Sequence, residues 1–145
     1  MTSFLPYGRQ AIDDSDIEAV VDVLRSDYLT TGPAVETFEL SLSQRMNNVA
    51  VVSCSSGTAA LHLAALALGL GPGDWVIVPA ITFLATANAI RYTGADVIFC
   101  DVDPETGLMT RDRLEDALED NKDKNIRAVF PVHLAGQPAD PVEIA

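Results

Sequence analysis

Apolar and polar residues follow two rhythms along this chain. In residues 15–26, Ile17, Val20, Val21 and Leu24 recur at i, i+3, i+4 and i+7, while Asp16, Glu18 and Asp22 face away. That period predicts an amphipathic helix, and Asp13, Asp14 or Ser15 can cap it. A second helix is expected from Pro33 to about Met46, with Val35, Phe38, Leu42 and Met46 on one face. The valine-rich run 49–52 then predicts a buried strand, and the Ala- and Leu-rich stretch from about Thr58 predicts a helix. This helix is apolar nearly all round (Leu61, Leu63, Ala64, Leu66, Leu68), so burial is expected. Three more strands follow, at 75–78, 96–100 and 126–132. They are separated by a helix over about 85–92 and by one that Thr110 can cap, carrying Leu114, Ala117 and Leu118. Strand alternating with helix implies an α/β fold with a mostly parallel sheet and right-handed crossovers.

The punctuation agrees. Gly69, Gly71, Pro72 and Gly73 end one helix, Pro79 closes a strand and Gly94 ends the next helix. Residues 1–14 repeat with no period, and Tyr7 and Arg9 in them are either surface residues of an arm or reach a site. The loop 27–33 (Asp27, Tyr28, Leu29, Thr30, Thr31, Gly32, Pro33) suits ligand contact, with a solvated connector as the alternative. Near the end, Asp140, Pro141 and Glu143 read as a helix cap, first helical residue and capping-box acid. A single turn is not a stable helix, so the expectation is an N-terminal fragment of a longer protein, with uncovered apolar faces that favour self-association.

Composition narrows the chemistry. With 145 residues, 48% of them hydrophobic, the chain can form one real core. A net charge of −12 argues against nucleic-acid or anionic-membrane surfaces. The longest apolar stretch, 59–70, is too short to span a bilayer, and no secretory signal pattern opens the chain. Cys54 and Cys100 form no C-x-x-C pair, and reduced thiols in the cytoplasm are the simplest reading.

The densest candidate chemistry lies where strand 49–52 turns through Ser53, Cys54, Ser55, Ser56 and Gly57 into a helix. The first N–H groups of a helix lack partners and carry partial positive charge, which favours an anion. Gly57 lets a ligand approach the backbone, and Thr58 and the serines offer hydroxyls. A phosphate cup and an ordinary strand–helix turn both fit these residues. Phe83, just past a strand end, stacks on a flat ring or belongs to the core, and as a lone aromatic it favours core. Asn88, polar within an apolar run, is expected to have a specific partner. His62 reads as a core or interface histidine, since no second ligand stands at metal spacing. Asp101 and Asp103 suit a turn better than Mg²⁺. The glycines form neither a dinucleotide fingerprint nor a P-loop.

Several stretches occur together in a fixed order: 27–33, the run Ser55-Ser56-Gly57-Thr58-Ala59-Ala60-Leu61-His62, Gly71-Pro72-Gly73-Asp74 with Val76-Ile77-Val78-Pro79, Thr82-Phe83 with Ala85-Thr86-Ala87-Asn88, Asp101-Val102-Asp103, and 132–140. Together they resemble the N-terminal part of the DegT/StrS nucleotide-sugar aminotransferases, pyridoxal 5'-phosphate enzymes of fold type I. The resemblance implies an arm and helices over 1–48 and the start of the cofactor-binding large domain over 49–145. It implies that Gly57, Thr58 and Ala59 hold the cofactor phosphate, that Phe83 stacks on the pyridine ring and that Asn88 supports the site. It further implies that Tyr7, Asp27, Tyr28, Leu29 and Thr30 contact a UDP-linked nucleotide-sugar, partly across a homodimer interface. The opening Phe4-Leu5-Pro6-Tyr7-Gly8-Arg9-Gln10 is most similar to the pseudaminic-acid branch, which aminates C4 of a 4-keto-6-deoxy-N-acetyl sugar with glutamate as donor.

Such chemistry needs a lysine that bonds covalently to the cofactor. The lysines here are Lys122 and Lys124, in a turn at the amino end of the last strand. Ligands of open α/β sheets bind at the carboxyl ends, so neither is the nucleophile. The resemblance therefore implies that the catalytic residues lie beyond Ala145 and that the fragment alone is inactive. A dehydratase of the same fold, with histidine in place of the lysine, and a non-catalytic remnant are the rival readings.

Overall fold

The computed structural model describes residues 10–140 and 144. These fall into two compact units that divide between Ser53 and Cys54.

The first unit holds α1 (Asp14–Arg25) and α2 (Pro33–Arg45). Asp13 is the cap of α1: its carboxylate accepts the Ser15 and Asp16 N–H groups at 2.9 and 3.2 Å, and Asp16 accepts the Asp13 N–H at 3.0 Å. That reciprocal box satisfies donors that the first helical turn would otherwise leave open. Pro33 starts α2, as its fixed φ and missing N–H favour. Both apolar stripes form, but no residue of either helix is buried, and Ile17, Val20, Leu24, Phe38 and Met46 are exposed. The pattern fixed the helices, while the faces find no cover within the described residues.

The expected buried strand at 49–52 is not formed. A strand exists only through a neighbour's hydrogen bonds, and the described elements of its own unit are two helices, which offer no ladder. Val52 is 81% exposed. The stretch is tied instead at Ser53, whose N–H and hydroxyl both donate to Glu39.

The second unit is built on a three-stranded parallel sheet, β1 (Trp75–Pro79), β2 (Asp96–Cys100) and β3 (Ile126–Val129), in the order β2-β1-β3. Trp75 lies opposite Asp96 and Pro79 opposite Cys100. Successive β1 side chains point to opposite faces. Val76 and Val78 pack with Ala65, Leu70, Ile90 and Ala95, whereas Ile77 packs with Ile98, Cys100, Met109, Leu114 and Ala117. The first cluster takes in α3 (Gly57–Ala67) and α4 (Leu84–Arg91), and the second takes in α5 (Arg111–Asp120). The sheet is thus covered on both faces, which is why its strands read as continuous apolar runs.

Two expectations need correction here. Helix α3 is not buried all round: Ala65 is its one fully buried residue, and Leu63, Leu66 and Leu68 are about half exposed. An apolar helix needs cover on every side, and α3 meets cover on one. The last strand is shorter than 126–132: it ends at Val129, with a further bond from the Phe130 N–H to the Ile77 carbonyl at 2.9 Å. Pro131 has no N–H to continue the ladder. At the chain's end, the Ile144 N–H donates to the Asp140 carbonyl at 3.2 Å, while Pro141 and Glu143 lie outside the described residues. No helix among the described residues is long and apolar enough to cross a membrane.

Candidate functional site

The carboxyl end of β1 leads directly into the first candidate group. Ala80 donates to the Cys100 carbonyl at 2.8 Å, which holds the exits of β1 and β2 together. Phe83 then takes the N-cap position of α4. Its carbonyl accepts the Thr86 N–H at 3.0 Å, and the Thr82 and Thr86 hydroxyls meet at 2.8 Å. The backbone at Phe83 is therefore fixed, yet the residue is 76% exposed. Of the two sequence readings for Phe83, core packing is the one the structure rejects. One turn into α4, Asn88 is half-buried, and its side-chain amide finds no partner among the described residues, contrary to expectation.

Helix α3 supplies the second group. Ser56 is its N-cap and its hydroxyl accepts the Ala59 N–H at 3.2 Å. The sequence reading treated Ser56 only as a hydroxyl donor; its place directly before the helix was the available signal for a cap. The cap engages the Ala59 N–H. The N–H groups of Gly57 and Thr58 and the Thr58 hydroxyl have no partner among the described residues. A Cβ built on Gly57 would meet nothing within 4 Å. The chain's own packing therefore does not require glycine there, and the open space suits something bound. α3 packs against α4, so Gly57, Thr58, Ala59, Phe83 and Asn88 stand on two adjoining helices.

The third group belongs to the first unit. Tyr7 lies outside the described residues. Asp27, Tyr28, Leu29 and Thr30 are all exposed in the loop between α1 and α2. The Ser26 hydroxyl accepts the Tyr28 N–H at 3.3 Å. A Cβ on Gly32 would lie 2.6 Å from the Tyr28 Cβ, so Tyr28 sits directly on this glycine. Next to it is a cavity of about 280 Å³ lined by Asp22, Val23, Ser26, Tyr28, Pro33 and Ala34.

The sequence model of the DegT/DnrJ/EryC1/StrS aminotransferase family matches residues 10–145. The chain belongs to this family. Solved structures agree. Spr1654 of Streptococcus pneumoniae, assigned as a sugar aminotransferase and solved in its PLP form, is 38% identical with a TM-score of 0.83, over 94% of this chain and 34% of its own. The aminotransferase TlmJ of Streptoalloteichus hindustanus is 38% identical with a TM-score of 0.82, over 93% of this chain and 36% of its own. NtdA of Bacillus subtilis with bound cofactor PMP is 36% identical with a TM-score of 0.79, over 92% of this chain and 31% of its own. The chain thus spans about a third of the length of these relatives. The motifs named the family and the fold correctly.

Within this DegT/DnrJ/EryC1/StrS chain the two lysines lie where the sequence placed them. Lys122 pairs with Glu119 on the solvated end of α5. The Lys124 ammonium lies 4.1 Å over the Trp75 ring and 2.7 Å from the Asn121 amide oxygen. Trp75 opens β1, so both lysines stand at the amino edge, opposite Phe83. His62 packs edge-on against Tyr92, with ring centroids 5.4 Å apart, in line with a structural histidine. Asp101 accepts the Val102 N–H at 2.8 Å, while Asp103 serves a turn: one of its oxygens accepts the Glu105 and Thr106 N–H groups at 3.1 and 2.8 Å and the Thr106 hydroxyl at 2.9 Å. These bonds, the Thr106 N–H first, hold the Asp103 carboxyl below its usual range. No cluster of three metal-ligating side chains occurs among the described residues.

Proposed function

We propose that this chain is the first part of a pyridoxal-phosphate-dependent nucleotide-sugar aminotransferase, with an arm and helices to residue 48 and the start of the cofactor-binding domain from residue 49. The observation that carries the reading is Phe83, a 76% exposed aromatic residue on a fixed backbone at the carboxyl edge of a sheet in a chain of this family. A planar ring stacked on it would recover the contact that its exposure forgoes. Gly57 and Thr58 fit a phosphate: two N–H groups and a hydroxyl without partners among the described residues lie in the first turn of a helix, and a Cβ on Gly57 would meet nothing within 4 Å. Ala59 closes this turn, and its N–H reaches the phosphate by sharing with the Ser56 hydroxyl. Asn88 offers an amide to the cofactor's ring substituents.

When bound, the cofactor supplies an electron sink at the carbon that gains or loses nitrogen. The residues of this chain bind and orient. Phe83 fixes the plane of the ring and keeps water from one side of it, and the α3 terminus anchors the phosphate. Tyr7 and the loop 27–30 contact the UDP-linked sugar, glutamate supplies the amino group, and the full-length protein works as a cytoplasmic homodimer. Residues 4–10 favour the pseudaminic-acid branch. The 145-residue chain alone is inactive, because its lysines stand at the wrong edge of the sheet.

The test is reconstitution. Full-length protein should bind pyridoxal phosphate and transfer nitrogen from glutamate to a 4-keto-6-deoxy nucleotide-sugar, and residues 1–145 alone should not. Amino transfer by the 145-residue chain would overturn the claim about the lysines. Full-length protein that binds no cofactor would overturn the reading as a whole.

A further inference from the structure

We propose that His133 is a ligand-binding residue whose Nε2–H donates a hydrogen bond to an anionic oxygen of the small molecule bound at the carboxyl edge of the sheet. This rests on the reading above only for where the ligand sits.

His133 lies just beyond the carboxyl end of β3, the neighbour of the strand that leads to Phe83. Its Nδ1 accepts the Ala139 N–H at 2.9 Å. A backbone N–H only donates, so Nδ1 carries no proton in this arrangement and the neutral ring holds its proton on Nε2. The tautomer is thereby set by the loop. Nε2 has no partner among the described residues, and the residue is exposed.

The loop that carries His133 is held at several points. Leu134 and Gln137 exchange backbone hydrogen bonds at 3.0 and 2.8 Å across Ala135 and Gly136, both with positive φ (52° and 80°). That is a tight hairpin turn whose second position favours glycine. The Leu134 side chain seats on Gly107, where a Cβ would lie 2.9 Å from its Cδ2. Gly107 itself has φ +71°, so a larger residue there would be strained, and the Leu134 methyl would have to shift. At the far end Ala139 is 1% exposed. A turn fixed at both ends delivers one exposed imidazole with a defined donor at the edge where ligands of such sheets bind. A histidine kept only to accept the Ala139 N–H would leave Nε2 without a role, and this is the alternative to separate.

Two substitutions separate them, because each keeps one half of the imidazole. In His133→Asn the amide oxygen takes the place of Nδ1 and can still accept the Ala139 N–H, but the Nε2 donor is lost. In His133→Gln the amide nitrogen takes the place of Nε2, and the Nδ1 acceptor is lost. The full-length protein, labelled with ¹⁵N in histidine, is titrated with pyridoxal phosphate, glutamate and inorganic phosphate. Imidazole spectra, binding constants and exchange of the Ala139 amide are followed.

The expected result is an Nε2–H tautomer without ligand and a shift of the Nε2 resonance with at least one probe. His133→Asn should bind that probe about tenfold or more weakly, the size expected for a hydrogen bond to a charged group, with Ala139 exchange unchanged. His133→Gln should speed Ala139 exchange yet keep more of the affinity than the asparagine variant. Loss confined to glutamate assigns the oxygen to a carboxylate, and loss shared by pyridoxal phosphate and inorganic phosphate assigns it to a phosphate. If His133→Asn binds all three probes like the wild type, or Nε2 responds to none, the donor role is overturned and His133 only ties the loop. Wild-type protein that binds no pyridoxal phosphate, but whose Nε2 shifts with inorganic phosphate, refutes the cofactor reading and supports the donor.

Discussion

One carboxylate oxygen of Glu39, on α2, accepts both the backbone N–H of Ser53 at 2.7 Å and its hydroxyl at 2.8 Å. These bonds, the backbone one first, hold the Glu39 carboxyl below its ordinary value of 4.5. The link is therefore fully present above that value and is lost as the pH falls through the lower folded value. The Ser53 amide resonance should titrate with an inflection below 4.5, and Glu39→Gln should abolish that titration. An inflection at or above 4.5 would contradict the hydrogen bonds described.

Phe83→Ala should separate binding from stability. The residue is 76% exposed, so the loss of folding stability should stay within about 0.5 kcal/mol. Retention of pyridoxal phosphate by the full-length protein should nevertheless fall by about tenfold, the scale of an aromatic stacking contact. Thermal unfolding of the cofactor-free protein and equilibrium dialysis of the cofactor measure the two effects. A large stability loss would return Phe83 to the core.

Gly57→Ala should move the two quantities in opposite directions. An added methyl meets nothing, and the backbone is not left-handed, so the cofactor-free protein should gain about 0.4–1 kcal/mol. The same methyl would occupy the space beside the Gly57 and Thr58 N–H groups and weaken cofactor binding. Thr58→Ala should weaken binding as well by removing a hydroxyl. Unchanged affinity in both variants would remove this turn from the phosphate site.

The two cysteines should differ sharply in reactivity. Cys54 is exposed and Cys100 is 1% exposed. Burial first, and the negative charge of Asp101 second, push the Cys100 thiol above its ordinary value. An alkylating reagent at neutral pH should modify Cys54 within minutes and Cys100 only on unfolding, as peptide mass mapping would report. Early modification of Cys100 would mean that the α5 side of the sheet opens readily.

Ile77→Ala tests the core directly. Ile77 is fully buried between β2 and α5, and its truncation should cost about 2–5 kcal/mol in chemical denaturation. A loss below 1 kcal/mol would mean the site collapses around the cavity.

Local rules made most of this molecule legible. Asp13 was one of three cap candidates, Pro33 fixed the start of α2, and the runs at 75–79 and 96–100 are continuous because both sheet faces are covered. Where the reading failed, the missing information was non-local. Val51 and Val52 have the composition of a strand, but composition does not supply a partner. Leu63 and Leu66 have the composition of a core, but cover depends on what else the chain presents to that side. The site divided in the same way. Phe83 looked like core because isolated aromatics usually are, and its exposure depends on what the fold places beside the start of α4, which composition does not announce. The Nδ1 bond of His133 depends on a hairpin that brings Ala139 back, which no spacing rule announces.

The order β2-β1-β3 also fixes a history for the second unit. Its middle strand is the first to be synthesised. β2 arrives next, joined through α4, and closes a short loop, whereas β3 must wait for α5 and close a longer one. Assembly should then run outward from the centre, with β1, α4 and β2 condensing first and β3 docking late. Conservative truncations at Val76 and Ile90 would slow refolding, while truncation at Val129 would mainly speed unfolding. On a ribosome, the half of the unit that carries Phe83 would be in place while the strand that leads to His133 is still being made.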